Sequence, residues 1–285
     1  MGTNDTTPDF DSWCHASSLD ATGAAIYGVK YPHVTPPLEH RTFPVGKGQL
    51  FLVATPIGNL DDISHRALET LRTVDIIACE DTRHTGILLQ HWGITIPRIS
   101  YHDHNKERRT PELLDRIKSG QQVALVTDAG TPGIQDPGVY IVRKALEQGI
   151  EPVVIPGPSA LILGLVLSGL ATDRFVFEGF LPAKKGRNTR LNSLAQEPRT
   201  LVFYEAPHRV EKTLSDLLQA LGDRRAVLAR ELTKKFEEVQ RAEVSRLIEM
   251  VSNTPPRGEY VIVVEGLKEH QKRTGKRQGD TECTP

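Results

Sequence analysis

Between residues 49 and 170, short apolar runs alternate with segments whose apolar positions recur every three or four residues. The runs at 50–54, 74–79, 98–101, 123–126 and 152–155 have the length and composition of buried strands. Ile63, Ala67, Leu68 and Leu71 share one helical face. Ile87, Leu88 and His91 mark a second helix, Leu113, Leu114 and Ile117 a third, and Val139, Val142 and Leu146 a fourth. Thr110-Pro111-Glu112 predicts a helix start, with a capping side chain and a proline in the first turn, and Gly120 ends that helix. A fifth, apolar helix is predicted after residue 160. Five rounds of strand and helix predict a parallel sheet covered on both faces. The loops that follow its strands then gather along one edge.

From about residue 172 the texture changes. Strands are predicted at 175–178, 200–204, 226–229 and 260–264. Val210, Leu214, Leu217, Leu218 and Leu221 form an amphipathic helix, and another spans 244–250. Strands outnumber helices, which predicts a mixed sheet with antiparallel pairs. The expected architecture is two α/β domains, at 48–171 and 172–266, the first with a mainly parallel five-stranded sheet. Residues 1–47 are rich in Thr, Ser, Pro and Asp without periodicity and read as a disordered extension. Residues 267–285 carry Lys268, Lys272, Arg273, Lys276 and Arg277 and read as a disordered basic tail.

Composition narrows the functional classes. A net charge of −1 supplies no global attraction to nucleic acid or membrane, so an RNA substrate requires a local basic patch. Cys14, Cys79 and Cys283 are isolated, without disulfide or metal spacing, as suits a reducing cytoplasm. No apolar run approaches the ~20 residues of a membrane span. The start of the chain lacks the pattern of a signal or transit peptide.

The loops carry the chemistry. The stretch from Val123 to Gly138, Val-Ala-Leu-Val-Thr-Asp-Ala-Gly-Thr-Pro-Gly-Ile-Gln-Asp-Pro-Gly, runs from a buried strand into a loop of glycines, prolines and two carboxylates, Asp128 and Asp136. Prolines fix φ and glycines let backbone approach a ligand closely, at the carboxyl end of a strand where open α/β sheets bind small molecules. No phosphate-binding Gly-x4-Gly-Lys-Ser/Thr, no Gly-x-Gly-x-x-Gly and no Gly-x-Ser-x-Gly is present. His102 and His104 flank Asp103 without metal-ligand spacing and read as surface loop residues, so no metal is expected. Four charged clusters follow strand ends: 80–84, 184–190, 208–209 and 230–235. Each reads either as a polyanion contact or as a solvated face with helix caps.

Seven motifs stand in order: Val53-Ala-Thr-Pro-Ile-Gly-Asn-Leu-Asp-Asp62, Cys79-Glu-Asp-Thr-Arg-His-Thr85, the loop 127–138, Pro156-Gly-Pro-Ser-Ala160, Glu178-Gly-Phe-Leu-Pro-Ala183, Phe203-Tyr-Glu-Ala-Pro-His-Arg209 and Ala229-Arg-Glu-Leu-Thr-Lys234. Over residues 48–266 they closely resemble the RsmI family of ribosomal RNA small-subunit (cytidine-2′-O-)-methyltransferases, within the tetrapyrrole (corrin/porphyrin) methylase superfamily. The resemblance implies two α/β domains with S-adenosylmethionine (SAM) in the cleft between them. It also implies a homodimer, and methylation of a cytidine 2′-hydroxyl in the decoding region of 16S rRNA within the small ribosomal subunit. It implies a SAM pocket made by Pro56, Asp128, Ala129, Gly130, Asp136, Ser159, Ala160, Tyr204, Leu232 and Gly258. RNA contacts would fall to Arg83, His84, Lys184, Arg187, Arg190, His208, Arg209 and Lys234. Two departures from the family bear on ribosome docking. A short basic tail stands where members commonly carry a small helical module, and the N-terminal extension is longer than usual.

SAM carries an activated methyl group, so alignment is the main task, with a base or acceptor helping the weakly nucleophilic hydroxyl. Glu80, Asp81, Asp103, Glu205 and His84 stand at strand ends as candidates. Glu80 is the preferred one, against a structural role in which it pairs with Arg83. The rival functions are a methylase acting on a small tetrapyrrole and a non-enzymatic RNA-binding assembly factor.

Overall fold

The computed structural model describes residues 47–253 and 255–279, with side chains to residue 275. The expected disordered extension lies outside them, apart from Lys47. The first half is a five-stranded sheet of β1 (Gln49–Val53), β2 (Ile76–Cys79), β3 (Arg98–Ser100), β4 (Gln122–Val126) and β5 (Val153–Ile155). Its order is β3-β2-β4-β1-β5 and every pair is parallel. Helices α1 (His65–Thr73), α2 (Thr82–His91), α3 (Lys106–Lys118) and α4 (Gly138–Leu146) connect the strands. Leu50, Leu52, Ile76, Leu113, Ile117, Val123, Leu125 and Ile141 form its core. Apart from Ile141 these are apolar positions of the sequence pattern, and burying each such side chain contributes about 1.5–3 kcal/mol. α4 turns a different face inward from the one expected: Ile141 and Ala145 are buried, whereas Val139 and Leu146 are exposed.

The second sheet is mixed. β6 (Phe175–Phe180) pairs parallel with β7 (Thr200–Glu205). β7, β10 (Tyr260–Val264), β8 (Arg225–Arg230) and β9 (Glu238–Glu243) follow with antiparallel pairing. Helices α6 (Arg187–Leu194), α7 (Val210–Leu221) and α8 (Val244–Asn253) cover one face through Leu191, Leu194, Leu214, Leu217 and Leu247. The other face receives α5 (Ala160–Ser168), whose Ala160, Leu161, Leu163, Leu165 and Leu167 join Val202, Val227, Val261 and Val263 in a core. Thus α5 ties one sheet to the next. Gly164 makes the approach possible, because a Cβ there would lie 2.6 Å from Cγ1 of Val261.

Four other elements differ from the sequence reading. α3 starts at Lys106, five residues early, with Pro111 inside it. Asn105 organises that start: its Oδ1 accepts from the His102 N–H, and its Nδ2 donates to the Ser100 carbonyl. Thr110, expected as the cap, is instead buried, and its hydroxyl bonds that of Tyr101 at 3.0 Å. β9 is a polar edge strand with only Val239 and Ala242 turned to the cores, and α6 is short and weakly amphipathic, so neither showed a period. The tail is not disordered through residue 279: α9 (Leu267–Gly279) continues from β10. Arg273 anchors it on the buried Glu265 at 2.9 Å, a charge-assisted contact that composition does not reveal.

Candidate active site

Because all five strands of the first sheet run the same way, the loops after β1, β2, β4 and β5 meet at its carboxyl edge. The loops after the central neighbours β1 and β4 are stitched together. Thr55 N–H donates to the Gly130 carbonyl at 2.9 Å, Gly130 N–H returns to the Thr55 carbonyl at 3.1 Å, and the Thr55 hydroxyl donates to the Thr127 carbonyl. Gly130 takes φ +84, a conformation open to glycine at little cost. Asp136 closes the same loop on itself by accepting from Gly133 N–H and, at 2.7 Å, from Gly138 N–H at the start of α4.

Above this edge lies a cavity of about 530 Å³, within the usual range for a small-molecule site. The first half supplies Ile57, Glu80, residues 127–131, Ile134, Gln135, Asp136, Ser159 and Ala160. The second half supplies Phe180, Tyr204 to His208, Glu231, Leu232, Lys234 and Glu259 to Val261. The halves are latched around it. The Tyr204 hydroxyl accepts from the Leu161 N–H at 3.0 Å, and the Asn59 N–H donates to the Thr233 hydroxyl at 3.1 Å. Glu231 and Thr233 hold left-handed backbone, φ +52 and +64, so the loop presents Leu232 to the cavity from between two strained residues.

Of the residues expected around SAM, Asp128, Ala129, Gly130, Asp136, Ser159, Ala160, Tyr204 and Leu232 line this cavity. Pro56 does not: it is buried and borders a separate pocket of about 50 Å³ with His84 and Ile87. Gly258 stands behind the wall at φ +75, where a Cβ would lie 2.4 Å from the Glu231 side chain. The sequence reading passed over Gln135, Phe180 and Glu259. The first two lie inside quoted motifs, whereas Glu259 is placed only by the pairing of β10.

The electrostatics favour a cationic ligand. Glu205 is engaged by Arg209 at 3.2 Å, and Glu231 and Glu259 share Lys234. Among the described residues no ion pair joins Glu80, Asp128 or Asp136 to a cation, so the cavity keeps uncompensated negative charge. Burial pushes the Glu80 carboxyl above the usual range, and the nearby charges of Asp128 and Asp136 push it further. Burial likewise raises Asp136, against the N–H groups of Gly133 and Gly138. Glu80 Oε2 accepts from the Thr127 hydroxyl at 3.2 Å, which orients it at the cavity wall.

The other candidate carboxylates are otherwise employed, and His84 is exposed and borders the small separate pocket rather than the cavity. Asp81 caps α2, accepting from the Arg83 and His84 N–H groups, and Arg83 pairs with it rather than with Glu80. Asp103 pairs with Lys106. Glu205 is buried, holding Arg209, the Thr213 hydroxyl and the Ala206 N–H. The expected RNA contacts divide in the same way. Arg83, His84, Lys184, Arg190 and His208 are exposed, although Arg190 is held by Glu178. Arg187 is a correction. It is buried, and its Nε, Nη1 and Nη2 donate to Asp216, the Pro182 carbonyl and the Thr213 hydroxyl, so the guanidinium is turned inward and away from any phosphate. Arg209 is likewise committed, to Glu205 and the Leu181 carbonyl. Lys234 sits between Glu231 and Glu259 on the cavity wall.

Comparison with known proteins agrees with this geometry. Residues 49–248 match the family model of the Tetrapyrrole (Corrin/Porphyrin) Methylases. The ribosomal RNA small subunit methyltransferase I of Synechocystis is 57% identical over 221 residues, covering 77% of this chain and 79% of that protein. The protein of the same name from Escherichia coli O157:H7 is 50% identical over 238 residues, covering 82% and 83%. Two solved structures share the fold. Diphthine synthase matches at TM-score 0.62 and 18% identity, over 77% of this chain and 90% of that one. Uroporphyrin-III C-methyltransferase from Thermus thermophilus complexed with S-adenosylhomocysteine matches at 0.56 and 20%, over 76% and 97%. An acidic cavity between a parallel and a mixed sheet, the family match over most of the chain and the identity to these methyltransferases together show that the chain belongs to the tetrapyrrole methylase family.

Proposed function

We propose that the protein transfers the methyl group of SAM to the ribose 2′-hydroxyl of a cytidine in the decoding region of 16S rRNA, acting on the small ribosomal subunit in the cytoplasm. The observation that carries this reading is the 57% identity to a ribosomal RNA small subunit methyltransferase across both sheets. The cavity fits the donor. Its unpaired carboxylates suit a cation, and the buried Ile57, Leu232 and Val261 offer an apolar wall. The backbone of Ala129 and Gly130, the start of α5 and Leu232 would hold the donor, with Asp128 and Asp136 supplying negative charge. When bound, SAM supplies a methyl group already activated by its sulfonium. The protein's own residues orient the acceptor and manage its proton. Glu80, raised by burial and like charge, is the group placed to take the hydroxyl proton at its carboxylate. Its raised pKa makes it a stronger base than an exposed carboxylate, and general-base assistance contributes typically 10²–10⁴-fold.

Exposed side chains such as Lys184 and His208 would meet RNA phosphates while the neutral nucleoside enters the acidic cavity. A tetrapyrrole polycarboxylate would bring its charges against Glu80 and Asp128, which disfavours the small-molecule reading. The homodimer belongs to the same proposal. Ile162 and Val166 lie one turn apart on α5 and are 46% and 65% exposed, and Val154 on the edge strand β5 is 51% exposed, an apolar surface suited to a second copy. No helix among the described residues is long and apolar enough to cross a membrane.

The test is transfer of label from SAM to small subunits purified from a strain lacking the endogenous enzyme, followed by mapping of the modified nucleotide. Label on one cytidine ribose is the expected result. Label on a tetrapyrrole precursor alone, or RNA binding without SAM binding, would overturn the proposal.

A further inference from the structure

β6 contains an irregularity that changes what its last residue faces. In a regular strand Phe177 and Phe180, three positions apart, would point to opposite faces of the sheet. The pairing with β7 shifts by one residue between Phe177 and Gly179. Such a bulge re-aims the side chains beyond it. Both rings consequently pack edge-on against Tyr204, Phe177 at 5.0 Å and Phe180 at 5.7 Å between centroids. The bulge favours glycine: Gly179 has φ +61, in the left-handed region, and its bare Cα leaves room for the Gln135 amide. The shift brings Phe180 to the cavity wall, where it remains 48% exposed. Ile134, on the loop after β4, also borders the cavity and is 44% exposed. A half-exposed phenylalanine and isoleucine on the rim of an acidic cavity offer apolar surface that no side chain among the described residues covers.

We infer that Phe180 is the platform on which the base of the acceptor nucleotide stacks, with Ile134 as its apolar neighbour. The inference rests on the proposed RNA acceptor and adds the residue that receives its base. A ribose hydroxyl reaches a recessed reactive site only if its nucleotide is splayed out of its stack, and splayed bases are received on aromatic faces. The occupant is the acceptor rather than the donor because Phe180 stands at the rim, whereas the apolar wall farther in is made by the buried Ile57, Leu232 and Val261. An aromatic face reads no base edge, so it positions the nucleotide and leaves sequence choice to other contacts.

Phe180→Leu keeps an apolar side chain and removes the stack, and Phe180→Tyr keeps the ring. Methyl transfer to small subunits and SAM affinity by calorimetry are measured for both and for the wild type. The expected result is a kcat/KM lower by about 5- to 150-fold for Phe180→Leu, the range that loss of one base–aromatic stack gives. Phe180→Tyr should stay within about twofold of the wild type, with SAM affinity unchanged in both. Unaltered kcat/KM in Phe180→Leu would overturn the inference, as would a parallel loss of SAM affinity, which would make Phe180 part of the donor wall. If the wild-type protein binds SAM but labels no subunit, the proposed function fails and this inference falls with it.

Discussion

Glu80 shows how position gives one carboxylate a role its neighbours lack. Asp81, Asp103 and Glu205 are held by Arg83, Lys106 and Arg209, whereas Glu80 has only hydrogen-bond partners and two nearby like charges. Glu80→Gln should lower kcat by about 10²–10⁴-fold with SAM affinity retained. The acid limb of the wild-type pH–rate profile should lie above the usual glutamate range and vanish in the variant. The stability effect has the opposite sign. A carboxyl whose folded pKa is raised loses stability as pH rises from its unfolded value through its folded value. Glu80→Gln should therefore melt above the wild type at pH 8, with the difference gone below the ordinary glutamate pKa. A variant with full turnover would remove Glu80 as the base. Arg187 makes the converse case. Its side chain is 5% exposed and paired with Asp216 at 2.7 Å. Arg187→Ala should cost about 3–5 kcal/mol in urea unfolding, since it strands a largely buried partner. The exposed Lys184→Ala should leave stability alone and reduce the salt slope of RNA binding by about 0.7.

At the scale of elements, two helical glycines separate intrinsic preference from packing. Alanine is better than glycine in a helix by about 1 kcal/mol. In α9 a Cβ on Gly275 meets nothing within 4 Å, so Gly275→Ala should stabilise the protein by up to that amount. In α5 a Cβ on Gly164 meets Val261 at 2.6 Å, and overpacking costs about 1–3 kcal/mol. Gly164→Ala should therefore destabilise despite its better propensity, as equilibrium denaturation would show. If both substitutions stabilised equally, the close packing of α5 on β10 would be refuted. α5 also explains its own composition. A helix with little amphipathic character belongs between two layers, and this one leaves only Ile162 and Val166 outside.

For the whole molecule, the cavity draws its walls from both sheets, so a ligand bound there couples them. SAM at 100 times its Kd should stabilise by about 2.7 kcal/mol, roughly 5–10 °C at 2–4 °C per kcal/mol. Fluorescence of Trp92 in the first half and far-ultraviolet dichroism of the whole should shift together. A shift in only one probe would mean that the donor contacts one half alone.

Much of this was legible in one dimension. The five strands of the first sheet, four of the second and the helices α1, α7 and α8 followed from apolar period, because burial of one face imposes that period on any sequence. α5 followed from its continuous apolar run, and α2 and α4 were located although Ile87, Val139 and Leu146, expected on their buried faces, are exposed. The loops after β1, β4 and β5 were recognisable as ligand-binding because glycine and proline there hold backbone close to a ligand at the carboxyl edge of the sheet, and eight of the ten expected cavity residues line it. The polar edge strand β9, the helix α9 and the start of α3 were hidden, since each depends on partners distant in sequence or on a side chain turned back on the backbone. Charge was the least legible property of all. Arg83, Arg187 and Arg209 look alike as letters, yet only the tertiary structure decided that one is exposed and two are spent on buried partners. The bulge that turns Phe180 toward the cavity was equally invisible, because it exists only in the register between two strands.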